Sequence, residues 1–63
     1  MKVWIAASFW AEGSEFALFD HPPSKEELDK FFDSLKEPWF DYPEVKSFEF
    51  DEIQGKALES LFL

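Results

Sequence analysis

The chain has 63 residues, with 14 Asp or Glu against six Lys and no Arg, so its formal net charge is −8. This length allows one domain over residues 1–63, and the absence of cysteine excludes disulfides and thiolate metal sites. Nucleic acid and anionic membranes are poor partners for such a chain, because both bind cationic surfaces.

The first two predicted elements form a hairpin. Residues 2–9 alternate with the period of a strand, and both of its faces are largely apolar, which is typical of a central strand. One face carries Val3, Ile5, Ala7 and Phe9, and the other carries Trp4, Ala6, Ser8 and Trp10. The polar residues 11–14 predict a turn, and residues 15–20 predict the return strand.

A helix is the clearest local prediction. Prolines at positions 22 and 23 end the second strand, because proline cannot donate to the ladder. Ser24 and Glu27 have the spacing of a capping box, which begins a helix. The apolar stripe follows at helical spacing: Leu28, Phe31, Phe32 and Leu35. Pro38 ends the predicted helix.

The remainder of the chain predicts a loop, a strand and a tail. Residues 37–44 contain two prolines and read as a loop. Residues 45–53 alternate again and predict a third strand, with Phe48 and Phe50 between charges. Residues 56–63 form a short apolar tail, which fits one or two turns of C-terminal helix.

These elements predict an α+β fold with a three-stranded antiparallel sheet. The β-β-α-β sequence with a right-handed crossover gives the strand order 2-1-3, and one helix covers one face. We expect the helix stripe to pack on the following set: Val3, Ile5, Ala7, Phe9, Phe16, Leu18, Phe48 and Phe50. The opposite face then has no obvious cover.

The order of segments also carries a resemblance. The first segments are a strand Met1-Lys2-Val3-Trp4-Ile5, a loop Glu12-Gly13-Ser14 and a second strand that ends at Leu18-Phe19. A helix start follows at Ser24-Lys25-Glu26-Glu27. The last segments are Phe40-Asp41-Tyr42-Pro43-Glu44 and the acidic strand Phe48-Glu49-Phe50-Asp51-Glu52. In these segments the chain resembles a group of small, uncharacterised phage and bacterial proteins. His21-Pro22-Pro23 lengthens one connection relative to that group. The resemblance implies the same fold and no particular activity.

Catalytic chemistry is not indicated. Catalysis needs ionisable groups that converge in a cleft, and the single histidine, His21, lies before two prolines with no nucleophile assigned to it. No Gly-x-Ser-x-Gly elbow or phosphate-binding glycine loop is present. We therefore expect no enzymatic activity, no cofactor and no metal site. Without a signal-peptide pattern or a membrane-length apolar run, we expect a cytoplasmic protein.

Aromatic side chains exceed what a one-helix core needs. Those without an assigned partner are Trp4, Trp10 and Phe19 on the second sheet face and Trp39, Phe40 and Tyr42 in the loop. Soluble monomers rarely expose large apolar patches. One interpretation is that the loop and the C-terminal tail fold back over the second face. The other is that these six residues bind a second protein or a second copy of the chain.

The leading functional hypothesis is a protein-binding accessory or inhibitor protein, encoded by a phage or mobile element, that acts through these aromatics. One alternative is a nucleic-acid mimic, whose carboxylates imitate phosphates and occupy a DNA- or RNA-binding protein. Another is a self-assembling structural subunit, in which the bare sheet face forms a homodimer interface.

Overall fold

The computed structural model describes residues 1–63 as three strands, two helices and a terminal 3₁₀ helix. The elements are β1 (Lys2–Trp10), β2 (Gly13–Phe19), α1 (Lys25–Leu35), β3 (Glu44–Glu49), α2 (Phe50–Ile53) and the 3₁₀ helix (Leu58–Phe62). One antiparallel sheet contains all three strands in the order β2-β1-β3. This confirms the predicted α+β class and strand order. None of the helices has the length and apolar character that a membrane span requires.

Helix α1 begins with the predicted capping box. The Glu27 backbone N–H donates to Ser24 Oγ at 3.2 Å, and the Ser24 N–H donates to Glu27 Oε1 at 3.1 Å. Two of the unpaired groups at the helix start are thereby satisfied. The helix ends at Leu35, and Lys36 adopts the left-handed conformation that a glycine more often provides.

Strand β3 is shorter than the alternation of residues 45–53 predicts. The strand ends at Glu49, and the chain then makes one helical turn, α2, in which Phe50 is exposed. The Glu49 N–H donates to Glu52 Oε1 at 2.8 Å, so a side chain three residues ahead satisfies a backbone donor. The assignment of Phe50 to the core is therefore wrong.

The helix packs on the face that was expected to be bare. Cross-strand pairs place Trp4 with Phe19, Ala6 with Ala17 and Ser8 with Glu15 on one face of the sheet. Trp10 and Glu15 from this face and Phe31 and Leu35 from α1 line one shared cleft of about 430 Å³. Ala6 and Ser8 are completely buried beneath the helix.

The C-terminal 3₁₀ helix lies against the opposite face. The Phe62 ring centroid is 5.8 Å from that of Phe9, 6.1 Å from that of Phe16 and 6.5 Å from that of Phe48. Lys46 Nζ donates to the Leu61 carbonyl at 3.5 Å on the same face. The tail therefore covers the face that was expected to receive the helix.

Side-chain size explains this reversal. The face beneath α1 is small at its centre, with Ala6, Ser8 and Ala17, so it leaves room for the large side chains of the helix. The other face carries its own bulk in Ile5 and Phe9, and a single phenylalanine of the tail fills the gap between the rings. Both faces of β1 are apolar, so the alternation alone did not distinguish them.

Candidate functional site

The loop after α1 forms a tight turn with Trp39 near its tip. The Phe40 N–H donates to the Glu37 carbonyl at 3.3 Å, which closes a four-residue turn. Pro38 occupies the second position of this turn, where its fixed φ angle is favourable. Trp39 occupies the third position and is 63% exposed, an unusually large exposed fraction for this side chain.

The base of this turn is fixed to strand β1. The Asp41 N–H donates to the Phe9 carbonyl at 3.0 Å. The Phe40 ring stacks on the Trp10 indole, with centroids 3.9 Å apart and an interplanar angle of 12°. Stacked aromatic pairs of this kind contribute beyond the area that they bury. Trp39 is thus held on a supported turn and not on a free loop.

Tyr42, which follows Asp41, fixes the same end of the loop to α1. Its hydroxyl donates to Asp29 Oδ1 at 2.5 Å, and its ring lies 5.3 Å from the Phe32 ring. This hydrogen bond raises the pKa of Tyr42, because the neutral hydroxyl is the donor. It also lowers the pKa of Asp29, and the hydrogen bond from the Lys25 ammonium is the second largest cause of that lowering. Tyr42 therefore positions the loop, although its own side chain is partly exposed.

The Trp10 indole is clamped between two neighbours. A Cβ atom added to Gly13, which lies opposite Trp10 in the sheet, would approach Cζ2 at 2.7 Å, Cη2 at 3.1 Å and Cε2 at 3.2 Å. These similar distances to three neighbouring ring atoms place Gly13 over one face of the indole. Phe40 stacks on the other face. The Trp10 indole is therefore held in place as one wall of a cleft, and its two faces are already covered by Gly13 and Phe40.

An open cleft lies between this wall and the Trp39 turn. Its volume is about 410 Å³, and its lining consists of Trp10, Ala11, Glu12 and Trp39. Ala11 and Glu12 form the two-residue turn of the hairpin, so the strands and the loop contribute one wall each. Glu37 and Asp41 are exposed and lie two residues on either side of Trp39 in sequence. The cleft combines two indoles with the Glu12 carboxylate at its rim.

The six aromatic residues predicted to bind a partner do not divide into the two expected groups, one on the sheet face and one in the loop. Trp10 and Trp39 line the cleft, Phe40 stacks on Trp10, and Tyr42 anchors the loop. Trp4 and Phe19 pair with each other near the other end of β1 and are half-buried beneath α1. Trp10 lies six residue steps along β1 from Trp4, which corresponds to about 20 Å. Sequence reasoning missed Glu12 and Gly13, whose only signal was their place in the hairpin turn.

The remaining ionisable cluster stabilises the start of α1. His21 Nδ1 lies 2.7 Å from Asp20 Oδ1, and its Nε2 lies 2.8 Å from Glu27 Oε2. Hydrogen bonds that the ring donates to Asp20 and then to Glu27 raise the pKa of His21. Because both ring nitrogens face carboxylates, neither is directed at a nucleophile or a substrate cleft. The cluster is a charged brace between the end of β2 and the helix cap.

The cleft beside Trp39 brings together two indoles and a carboxylate on a fixed backbone. No group of three or more His, Asp or Glu side chains is arranged to hold a metal ion. Apolar aromatic walls, a fixed backbone and nearby carboxylates are suited to recognition by contact and charge. Comparison with protein-family models, curated proteins and solved structures finds no match to this chain.

Proposed function

We propose that the chain is a protein-binding accessory or inhibitor protein whose contact surface is the Trp39 turn and the cleft behind it. The observation that carries this proposal is the exposed indole of Trp39 on a turn whose next two residues are hydrogen-bonded to β1 and to α1. Tryptophan is among the residues that most often dominate protein interfaces. A turn that is already ordered loses little conformational freedom on binding.

The charge of the chain favours a partner with a basic surface. The net charge is −8, Glu12 lines the cleft, and the exposed residues Glu37 and Asp41 flank Trp39 in sequence. Complementary charge increases the rate of encounter and excludes acidic competitors, while the desolvated aromatic contact determines how long the complex lasts. The rim therefore selects the partner, and Trp39 retains it.

The two alternatives receive less support. A nucleic-acid mimic needs a row of carboxylates, whereas the exposed face of α1 alternates them with cations: Lys25 lies 2.9 Å from Asp29, and Lys30 lies 3.8 Å from Glu26. Self-assembly through a bare sheet face is less supported because neither face is bare. Helix α1 covers one face, and the tail with Phe62 covers the other. The origin from a phage or mobile element rests on the resemblance alone.

The test compares capture of partners by three immobilised proteins. Trp39→Ala should lose the specifically captured protein that the unchanged chain retains, and it should unfold at the same urea concentration because Trp39 packs little. Leu18→Ala is the matched control, since Leu18 is also large and exposed, at 56%, but lies at the edge of the opposite face. It should retain the partner.

Salt separates the aromatic interface from a nucleic-acid mimic. Capture through an apolar anchor should largely survive high salt, whereas binding by phosphate mimicry should fall steeply, because salt screens exposed charges. Equal capture by Trp39→Ala and the unchanged chain would contradict the proposal. Loss of capture by both variants would also contradict it, because the contact would not be specific to the cleft.

A further inference from the structure

We infer that the cleft between Trp10 and Trp39 receives a cationic side chain, lysine or arginine, of the protein partner, with Glu12 as its counter-ion. This inference rests on the proposed function and names the chemistry that the cleft recognises. It depends on three observations: the composition of the lining, the unequal positions of the two indoles, and the free carboxylate in the hairpin turn.

The lining contains aromatic rings and a carboxylate but no cation. Of its four residues, Glu12 alone is charged, and no lysine of the chain borders the cleft. The volume of about 410 Å³ lies within the usual range of small-ligand sites. An extended side chain of four carbons with its charged end fits such a space. The stem would contact the indoles while the charge stays near the carboxylate and water.

The two indoles have different roles. Gly13 and Phe40 cover the two faces of Trp10, so this residue offers the cleft a wall and not a free π face. Trp39 has no stacking partner in the chain and is largely exposed. Tryptophan is the aromatic residue that binds cations best through its ring face. The ring contribution to cation binding therefore belongs to Trp39.

Glu12 is free to act as the counter-ion. The five ion pairs of the chain involve other carboxylates: Asp20, Glu26, Glu27, Asp29 and Glu49. Glu12 lies in a two-residue turn whose flanking pair, Trp10 and Gly13, is held in register by the sheet. An incoming ammonium or guanidinium group would meet a carboxylate whose backbone is already fixed. An acidic or neutral side chain would leave it unpaired.

The experiment uses two peptides that differ only in one charge. The full chain, labelled with ¹⁵N, is titrated with acetyl-Gly-Ser-Lys-Ser-Gly-amide and with the same peptide carrying norleucine in place of lysine. The three indole N–H signals report the site, and Trp4, about 20 Å along the strand from Trp10, serves as the internal reference. We expect the lysine peptide to bind about fivefold more tightly and to shift the Trp39 signal but not that of Trp4.

Charge-matched variants separate the local carboxylate from the overall field. Glu12→Gln should weaken the lysine peptide about threefold and leave the norleucine peptide unchanged, as expected for loss of one exposed ion pair. Glu59→Gln removes the same charge from the 3₁₀ helix on the other side of the sheet and should have little effect. Trp39→Leu should reduce the preference for lysine from about fivefold to about threefold, because the π face is lost while the apolar wall and the Glu12 carboxylate remain.

Equal binding of the two peptides would overturn the inference, and so would equal weakening by Glu12→Gln and Glu59→Gln. The proposed function fails in a different way. If Trp39→Ala loses its partner but lysine is not preferred, the binding surface stands and its assigned ligand is wrong. If lysine is preferred but partner capture does not depend on Trp39, the cation site stands and the proposed function is wrong.

Discussion

The two faces of the sheet are covered by different means. On one face, α1 lies over the small side chains Ala6, Ser8 and Ala17. A capping box fixes its start, and the Tyr42 hydroxyl holds it at Asp29. On the other face, a five-residue 3₁₀ helix places the single ring of Phe62 among three phenylalanines. A central strand with two apolar faces requires two covers, and in this chain one is long and the other short.

This difference has a consequence for function. The cover formed by α1 continues into the loop that holds Trp39, so its hydrogen bonds and stacking also order the binding surface. The cover formed by the tail supports stability without contributing to the cleft. Substitutions beneath the tail should therefore change the free energy of unfolding alone, while substitutions near Trp10 should change unfolding and binding together.

Removal of the tail ring should have the largest effect. Phe62→Ala should lower the free energy of unfolding by about 2–3 kcal/mol, somewhat below the usual loss for a fully buried phenylalanine, because Phe62 is only half-buried. It should also cause self-association, because loss of the Phe62 ring exposes the apolar rings of Phe9, Phe16 and Phe48 to water. Urea unfolding and light scattering at several concentrations measure the two effects. Leu63→Ala is the control because Leu63 is fully exposed, and an equal loss in both variants would contradict this cover.

A methyl group at Gly13 tests the helix-side cover. Gly13→Ala places a Cβ atom 2.7 Å from Trp10 Cζ2, so the indole must move and its stacking on Phe40 is disturbed. We expect a loss of about 1–3 kcal/mol in the free energy of unfolding, as in other overpacked sites. The Trp10 indole signal should shift in the NMR spectrum. Gly55→Ala, which meets open space at a positive φ angle, should cost about 1 kcal/mol and leave that signal unchanged.

One polar atom distinguishes the interiors of the two faces. Ser8 is completely buried beneath α1, and its hydroxyl has no hydrogen-bond partner, whereas the buried side chains of the other face are apolar. Ser8→Ala should therefore raise the free energy of unfolding by about 1 kcal/mol, because an unsatisfied buried hydroxyl is removed. Ser47→Ala on the exposed edge strand is the control. A clear destabilisation by Ser8→Ala would show that the hydroxyl is satisfied.

The charged brace at the start of α1 should have the smallest effect, because water screens its partly exposed groups. The pKa of His21 is raised on folding, so its stabilising contribution is complete below about pH 6.5 and is lost as the pH rises through the higher folded value. The pKa values of Asp20 and Glu27 are lowered, so their contribution is lost as the pH falls through those lowered values.

Urea unfolding of the unchanged chain and of His21→Gln at several pH values tests this pH dependence. The difference between their urea midpoints should be greatest between about pH 5 and 6.5 and should shrink on both sides of that window. A difference that does not vary with pH would contradict a charged brace. Binding of the lysine peptide should be unaffected, because His21 lies near Phe19, at the opposite end of β1 from Trp10.

Much of the fold followed from local patterns. The capping box at Ser24 and Glu27 and the apolar stripe that follows it are signals within a few residues, so the start of α1 could be predicted. Alternation identified the hairpin, and the handedness of the crossover gave the strand order. The end of β3 could not be predicted, because the alternation continues through Phe50 while the Glu49–Glu52 hydrogen bond begins a helical turn.

The sequence by itself determined the α+β class, the central position of β1 and the surplus of aromatic residues. Only the tertiary structure decided which face receives α1, which aromatics pack and which remain exposed. Trp10 meets Phe40, and Tyr42 meets Asp29, across long stretches of chain. Periodicity describes neighbours one or two turns away, so contacts of this kind leave no periodic signal. The cleft at Trp39 exists because those contacts fix its two walls.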